Sequence, residues 1–286
     1  MDKGLVMKMK FTQREIRQVF LACGLMLMLG WFTLYSSYLW QDYTVSQNIL
    51  QEKKQVPVLM YHHLVPQAEV YGIFADNNIV ITVEKFREQM TCLKEQGYQT
   101  ISLAQLQRFL AGEEELPQKS IVLTFDDGYL SNYKYAYPIL QELGYHGVIF
   151  LLTSVVEEQP QQYTARGVQY LSWQEIALMS DVFEFGCHTD HLHKLTLSGK
   201  GILTAASPTE VAADLELARQ KMGEVSYYCY PYGHYTERTI ETLEREGVKL
   251  AFTIGAEHVK RGDDPLRLKR WDMYQYELQE VLEAIQ

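Results

Sequence analysis

The sequence is short of the residues that mark several protein classes. Four cysteines among 286 residues, with no repeating spacing, exclude a disulfide scaffold and a cysteine-based zinc ribbon. Positive charge is scarce: 26 Lys and Arg face 36 Asp and Glu. The formal net charge of -10 lacks the basic footprint of a nucleic-acid binder, so no nucleic-acid partner is expected. Internal repeats and low-complexity tracts are missing as well. What remains is ordinary globular usage, with 47% hydrophobic and 22% charged residues, which excludes long disorder, collagen and coiled coil.

Charge is missing altogether from Val19 to Trp40. Before this run stand Lys3, Lys8, Lys10, Arg14 and Arg17 against Asp2 and Glu15, a net of +3 that leaves -13 for the rest. Twenty-two residues at ~1.5 Å rise reach about 33 Å, enough to cross a bilayer core of about 30 Å. The basic flank keeps the N-terminus cytoplasmic, and Trp31, Tyr35, Tyr38 and Trp40 fit an outer interfacial belt. A cleaved signal peptide has an apolar core of about 7–15 residues and a small-residue cleavage site. This run is longer and leaves through Tyr-Leu-Trp-Gln, so an uncleaved anchor is expected, with Cys23 a membrane-buried thiol. The chain then divides into a cytoplasmic tail (1–18), a transmembrane anchor (19–40), a polar Gln-rich linker (41–55) and an extracellular domain (56–286). It reads as a single-pass cell-membrane protein.

Beyond the linker, short apolar runs alternate with helical patterns. The runs are Val56–Tyr61, Ser120–Phe125, Gly147–Leu152, Val182–Cys187, Val225–Tyr230 and Leu250–Ile254. Thr82, Ser102, Ser172, Ser207 and Thr236 each stand where a helix N-cap belongs. Ser172 with Glu175 and Ser207 with Glu210 form capping boxes, and Pro208 takes a first helical position. Strand, helix, strand in this order means parallel β/α units. The expected fold is a distorted (β/α) barrel of about seven parallel strands, preceded by one transmembrane helix.

In such barrels the chemistry sits at the C-terminal ends of the strands. Polar, reactive residues follow the apolar runs here. His62-His63, Asp126-Asp127-Gly128, His188 to His193 and Pro231-Tyr232-Gly233-His234 stand at four of these ends, and they hold six of the eight histidines. Asp127-Gly128 also signals a hairpin turn, but a helical pattern through Leu143 follows instead of a second strand. Two adjacent buried carboxylates repel each other and call for a cation or a proton. Two imidazoles with one carboxylate leave a fourth position open, the pattern of hydrolytic zinc sites. The Pro-Gly turn at 231–233 is placed to aim a backbone N–H at a developing oxyanion. Cys187 and Cys229 fall on neighbouring strands and read as buried thiols, with a disulfide as the alternative.

Thr124-Phe125-Asp126-Asp127-Gly128, then His188-Thr189, then Pro231-Tyr232-Gly233, in this order, resemble the polysaccharide deacetylases of carbohydrate esterase family 4 over roughly residues 56–272. The resemblance implies a distorted β/α barrel and a polysaccharide substrate. It also implies metal-dependent removal of N-acetyl groups, with O-acetyl ester hydrolysis or an inactive glycan-binding relative as alternatives. It makes Asp126 the catalytic base, and Asp127 and His188 metal ligands. The second histidine ligand of many members would fall on Leu192. A subgroup acting on secreted poly-N-acetylglucosamine has His-Thr-x-x-Leu-His, which His188-Thr189-Asp190-His191-Leu192-His193 matches. His193 is therefore the expected ligand, with His191 the outside candidate. Leu59-Met60-Tyr61-His62 resembles the same subgroup, and Tyr232 matches the residue whose N–H helps form the oxyanion hole. The implied cofactor is a divalent metal, zinc first, with nickel, cobalt or iron also suited to this ligand set. The substrate is a peptidoglycan or a secreted poly-N-acetylglucosamine.

The sequence departs from the family in two places. No Arg precedes Pro231 to orient the catalytic aspartate; the nearest upstream basic residue is Lys221. Arg270, before Trp271-Asp272, is expected to supply that charge from another strand. No histidine follows His258, so the late Leu-x-His motif with its general acid is missing. His62 is the candidate for that role and His234 the runner-up.

Overall fold

The computed structural model describes residues 12–52, 54–75, 77–164 and 167–284. Lys3, Lys8 and Lys10 of the basic tail lie outside the described residues. Two compact units divide the chain, 1–53 and 54–286.

The first unit is a single helix, α1 (Gln13–Glu52). Within it, Phe20–Tyr43 is a 24-residue stretch of mean hydropathy 1.5, long and apolar enough to cross a membrane. Its apolar side chains, among them Leu27, Trp31, Phe32 and Leu34, are exposed. The polar stretch after Trp40, expected as a linker, continues the helix as far as Glu52.

The second unit is built on seven parallel strands: β1 (Val58–Tyr61), β2 (Ser120–Asp127), β3 (Gly147–Leu151), β4 (Phe183–Cys187), β5 (Tyr227–Cys229), β6 (Leu250–Phe252) and β7 (Trp271–Asp272). Their order is β6-β5-β4-β3-β2-β1-β7, and every pairing is parallel. The short strand Gln99–Thr100 lies beside the first residues of β2. The last strand also joins the two ends of this order. On one side β7 pairs with β1. On the other, the Thr253 N–H donates to the Leu268 carbonyl (2.8 Å) and the Gly255 N–H to the Arg270 carbonyl (3.1 Å). Parallel strands need crossovers, and helices supply them. The result is the expected distorted barrel.

Both faces of the strands are buried, and their period of two sorts the side chains. Ile121, Leu123 and Phe125 of β2 pack with residues of α2 (Val83–Glu95) and α4 (Tyr137–Leu143). Val122 packs on the other side with Phe150, Cys229, Phe252 and residues of α3 (Leu103–Leu110). Alternation puts Thr124 and Asp126 on the side of Val122. Two further helices, α6 (Pro208–Met222) and α7 (Glu237–Arg245), cover β5 and β6. Between them in the chain and α4 comes α5 (Trp173–Leu178).

The five expected caps are formed. The Thr82 hydroxyl accepts from the Lys85 N–H, and Ser102, Ser172, Ser207 and Thr236 each make a capping box. Each such cap is worth ~1 kcal/mol. One stretch departs from the helical pattern expected after Gly128: Asn132–Ala136 winds as a π-helix before α4 begins. A final helix, α8 (Leu278–Glu283), carries no signal used above.

Candidate active site

Strand β2 ends on the two adjacent aspartates, and the backbone there is special. Asp127 has φ 72°, a left-handed conformation that costs a residue with a Cβ. Among the described residues two other non-glycine positions share this feature, Thr189 (φ 100°) and Tyr232 (φ 58°). All three lie at the strand ends that carry the sequence motifs. Such strain persists only where the surroundings enforce it, and it clusters at functional sites. Gly128 follows at φ +75°, and a Cβ there would stand 2.9 Å from Leu151 Cδ2. Only glycine satisfies both conditions.

Asp126 and Arg270 form the buried centre of the site. Arg270 is the largest fully buried side chain among the described residues. Its Nη1 donates to Asp126 Oδ1 and its Nη2 to Asp126 Oδ2, both at 2.7 Å. Nη1 also donates to Thr124 Oγ1 (3.1 Å), Nη2 to Cys229 Sγ (2.9 Å) and Nε to the Thr253 carbonyl (3.2 Å). Every donor edge of the guanidinium is therefore engaged across strands β2, β5 and the end of β6. Burial pushes the Asp126 carboxyl up, but the Arg270 charge and its hydrogen bonds more than offset this and hold it well below the usual carboxylate range. His188 and His62 add to the same effect. His62 Nε2 stands 3.8 Å from Asp126 Oδ2. Asp272, beside Arg270, is raised by burial, while His62 and Arg270 pull it back.

Asp127, His188 and His193 offer donor atoms that all lie within 4.8 Å of one another. Each of the two Nε2 atoms is 3.6 Å from Asp127 Oδ1. Two atoms bound at about 2.0–2.1 Å to one tetrahedral ion stand about 3.4 Å apart, so these spacings fit a shared cation. Asp127 Oδ1 is buried and has no hydrogen-bond partner among the described residues, an orphaned acceptor aimed between the imidazoles. The His188 tautomer agrees. His188 Nδ1 lies 2.8 Å from the Cys229 carbonyl, which can only accept. The proton is thus on Nδ1 and the Nε2 lone pair is free. Burial pushes His188 down to about 4, which keeps the ring neutral, as a ligand requires. His193 Nδ1 stands 3.3 Å from the Tyr232 hydroxyl, and the two rings lie 4.5 Å apart. These partners are the outer support that ligating histidines usually have.

Tyr129 completes the surroundings of Asp127. Burial first, and then the Asp127 charge and the hydrogen bond to that carboxylate, push the Tyr129 hydroxyl up, so it remains a donor. Its ring is stacked on Tyr170 at 5.5 Å. At the 231–233 turn, the Gly233 and His234 amides donate to the Tyr230 and Pro231 carbonyls. The Tyr232 N–H is left outside the turn's own hydrogen bonds.

The other candidates are placed elsewhere. His191 is turned outward to Asp190, with Nδ1 2.5 Å from Oδ2, and is not in the Asp127 group. His234 Nδ1 accepts from the Gly201 N–H at 3.0 Å. His63 is buried, 2.7 Å from Ser131 Oγ and packed on Phe74 and Tyr129. Lys221 binds Asp190 and plays no part near Asp126. Cys187 and Cys229 are free thiols. A second donor group, Asp126, His188 and Cys229, has two of its members, Asp126 and Cys229, already engaged by the Arg270 guanidinium.

Residues outside the motifs also shape the site. Asp214 of α6 accepts the Asp190 and His191 amides, at 2.9 Å and 2.6 Å. Its signal in the sequence was an acid on an apolar helix stripe, where Val211, Leu215 and Ala218 are its buried neighbours.

An acidic pair at a parallel barrel's rim, one member gripped by arginine and the other grouped with two imidazoles, is an arrangement suited to hydrolysis. The comparisons with known proteins agree on the class. Residues 113–251 match the polysaccharide deacetylase family. That match covers just under half of the chain. It is 28% identical over 206 residues to the poly-beta-1,6-N-acetyl-D-glucosamine N-deacetylase of Escherichia coli (strain K12), covering 61% of this chain and 31% of that one. The enzyme of the same name from Staphylococcus aureus (strain MSSA476) is 24% identical over 184 residues, 62% of each chain. The Bacillus subtilis (strain 168) protein YxkH is 26% identical over 212 residues, 71% of this chain and 66% of that one. The chain thus spans from about a third to about two thirds of these relatives' lengths. Among solved structures, IcaB from Ammonifex degensii superposes with a TM-score of 0.67 at 25% identity, covering 81% of this chain and 95% of that one. The Streptococcus pyogenes deacetylase PplD shares the fold, with a TM-score of 0.68 at 23% identity over 82% and 99% of the two chains.

Proposed function

We propose that this protein is a membrane-anchored, metal-dependent deacetylase that removes N-acetyl groups from poly-N-acetylglucosamine outside the cell. The observation that carries the reading is the Asp126–Arg270 pair set beside the Asp127, His188 and His193 group. The 28% and 24% identity to poly-beta-1,6-N-acetyl-D-glucosamine N-deacetylases supports the choice of polymer. The apolar Phe20–Tyr43 stretch and the basic residues before it support an anchor with a cytoplasmic N-terminus.

An amide is a weak electrophile with a poor leaving group. Asp127, His188 and His193 would hold the ion, zinc first and nickel, cobalt or iron next. Such an ion supplies positive charge that acidifies water and polarises a carbonyl. Asp126, kept ionised by Arg270, takes the proton as water adds to the acetamide carbon. Its Oδ1 keeps a lone pair beyond the one given to the guanidinium, while Oδ2 also accepts from the Cys229 thiol at 3.4 Å. The Tyr232 N–H donates to the oxyanion that develops, an interaction whose loss typically raises a barrier by roughly 2.7–4 kcal/mol. His62, 3.8 Å from Asp126, protonates the sugar nitrogen as the carbon–nitrogen bond breaks. The products are acetate and a glucosamine residue. Arg270 touches no reacting atom and acts as a positioning residue.

The test is acetate release by the full-length protein in detergent, comparing β-1,6-linked N-acetylglucosamine oligomers with peptidoglycan glycan and with an O-acetylated polysaccharide. The oligomers are expected to be the best substrate. Release from peptidoglycan glycan or O-acetyl esters alone would overturn the choice of polymer or of bond. No release from any of them would overturn the enzyme.

A further inference from the structure

The loop between His188 and His193 makes no regular structure, yet it fixes two side chains to the same point. It is held from behind by α6. The Asp190 N–H donates to Asp214 Oδ2 at 2.9 Å and the His191 N–H to Asp214 Oδ1 at 2.6 Å. The side chain of Asp190 is gripped in turn by Lys221 Nζ and by Thr153 Oγ1. Asp214 and Lys221 stand seven residues apart, two turns of one helix, and therefore on one face. Thr189, at φ 100°, shows that the backbone entering this loop is forced.

Packing alone does not account for Asp214. It lies on the buried stripe of α6 among Val211, Leu215 and Ala218, where an apolar residue would avoid the cost of burying a carboxylate. Both its oxygens are used on consecutive amides of the loop. Those amides lie between the two histidines, so their positions set the direction in which the chain reaches His193.

We propose that Asp214 is a positioning residue of the metal centre: its carboxylate clamps the Asp190 and His191 amides and so presets the separation of His188 and His193 for one ion. The inference rests on the reading of Asp127, His188 and His193 as ligands. An amide at this position accepts one N–H and opposes the other. Asp214→Asn therefore loosens the clamp with little change in volume.

The experiment is Zn2+ binding to metal-stripped full-length protein in detergent, measured by competition with a chromophoric chelator. Asp214→Asn is expected to weaken Zn2+ roughly 10- to 100-fold, as loss of an outer support typically does. Lys221→Met, which frees Asp190, should weaken it in the same direction and carries the test alone if the first variant does not fold. Acetate release by either variant should return toward the wild-type rate when Zn2+ is raised, because the reacting groups are intact. Wild-type affinity in the variants, or a fall in the metal-free melting temperature with affinity unchanged, overturns the positioning role. Absence of Zn2+ binding by the wild-type chain overturns the metal centre itself and the inference with it.

Discussion

Asp126 keeps its charge in a place where burial would remove it, because the bidentate Arg270 contact outweighs desolvation. Arg270→Ala leaves a buried carboxylate without its partner, a change that typically costs about 3–5 kcal/mol. The expected results are a lower melting temperature and loss of acetate release. Arg270→Lys keeps the charge, loses the fork and should fall between. Wild-type turnover in Arg270→Ala would remove Arg270 from the mechanism. Asp126→Asn should keep bound metal and lose turnover, whereas Asp127→Ala and His188→Ala should lose both. Metal analysis beside the activity assay separates the two roles. His63 gives a pH signature away from the metal group. Burial pushes it down to about 4, against about 6.5 when unfolded. Its folded value is the lower one, so the stability it permits is whole above about 6.5 and is lost as pH falls toward about 4, by ~3 kcal/mol. His63→Gln should flatten the dependence of unfolding free energy on pH across that window. An unchanged slope would contradict the assignment.

Strand β2 positions the site because its length and its ending are both fixed. Phe125 anchors it against Tyr61, Phe86 and Phe183, with ring centroids 5.4, 5.7 and 5.4 Å away. One residue further, Asp126 faces the opposite side, and the left-handed turn at Asp127 and Gly128 then points the second carboxylate at the imidazoles. Phe125→Ala should cost about 3–5 kcal/mol without touching either carboxylate. Gly128→Ala meets both a positive φ and the Leu151 side chain. A loss of roughly 1–2 kcal/mol from the conformation alone is expected, together with weaker metal retention because Asp127 moves. Calorimetry paired with metal analysis distinguishes these two variants. If Gly128→Ala retains metal as the wild type does, the turn does not aim Asp127. The closing segment works in the same way. β7 is only two residues long, yet Leu268 bonds to β6 and Arg270 to Gly255 just beyond it, while Trp271 and Asp272 pair with β1. That double attachment carries Arg270 into the barrel interior.

Across the whole molecule, the alternation of apolar runs with capped helices was enough to read a parallel β/α barrel, since buried strands and caps are local signals. The strand-end rule groups Asp126, Asp127, His188 and Tyr232, residues that the fold also sets at neighbouring strand ends. The choice of His193 over His191 came from the spacing of a subgroup motif, and the structure sends the two rings opposite ways. Arg270 was reachable only as a stand-in, on a later strand, for the arginine missing from the third motif, because its place depends on a 144-residue separation from Asp126 that no local pattern encodes. The π-helix at Asn132–Ala136 and the short strand Gln99–Thr100 were not legible, since each is fixed by tertiary contacts and not by periodicity, and Asp214 showed only as an acid on an apolar helix stripe. The account's central claim is tested most directly by anomalous diffraction from crystals of the full-length protein grown with Zn2+. One strong peak is expected, at about 2.0–2.2 Å from Asp127, His188 Nε2 and His193 Nε2. A zinc peak elsewhere, with these three side chains unliganded, would contradict it.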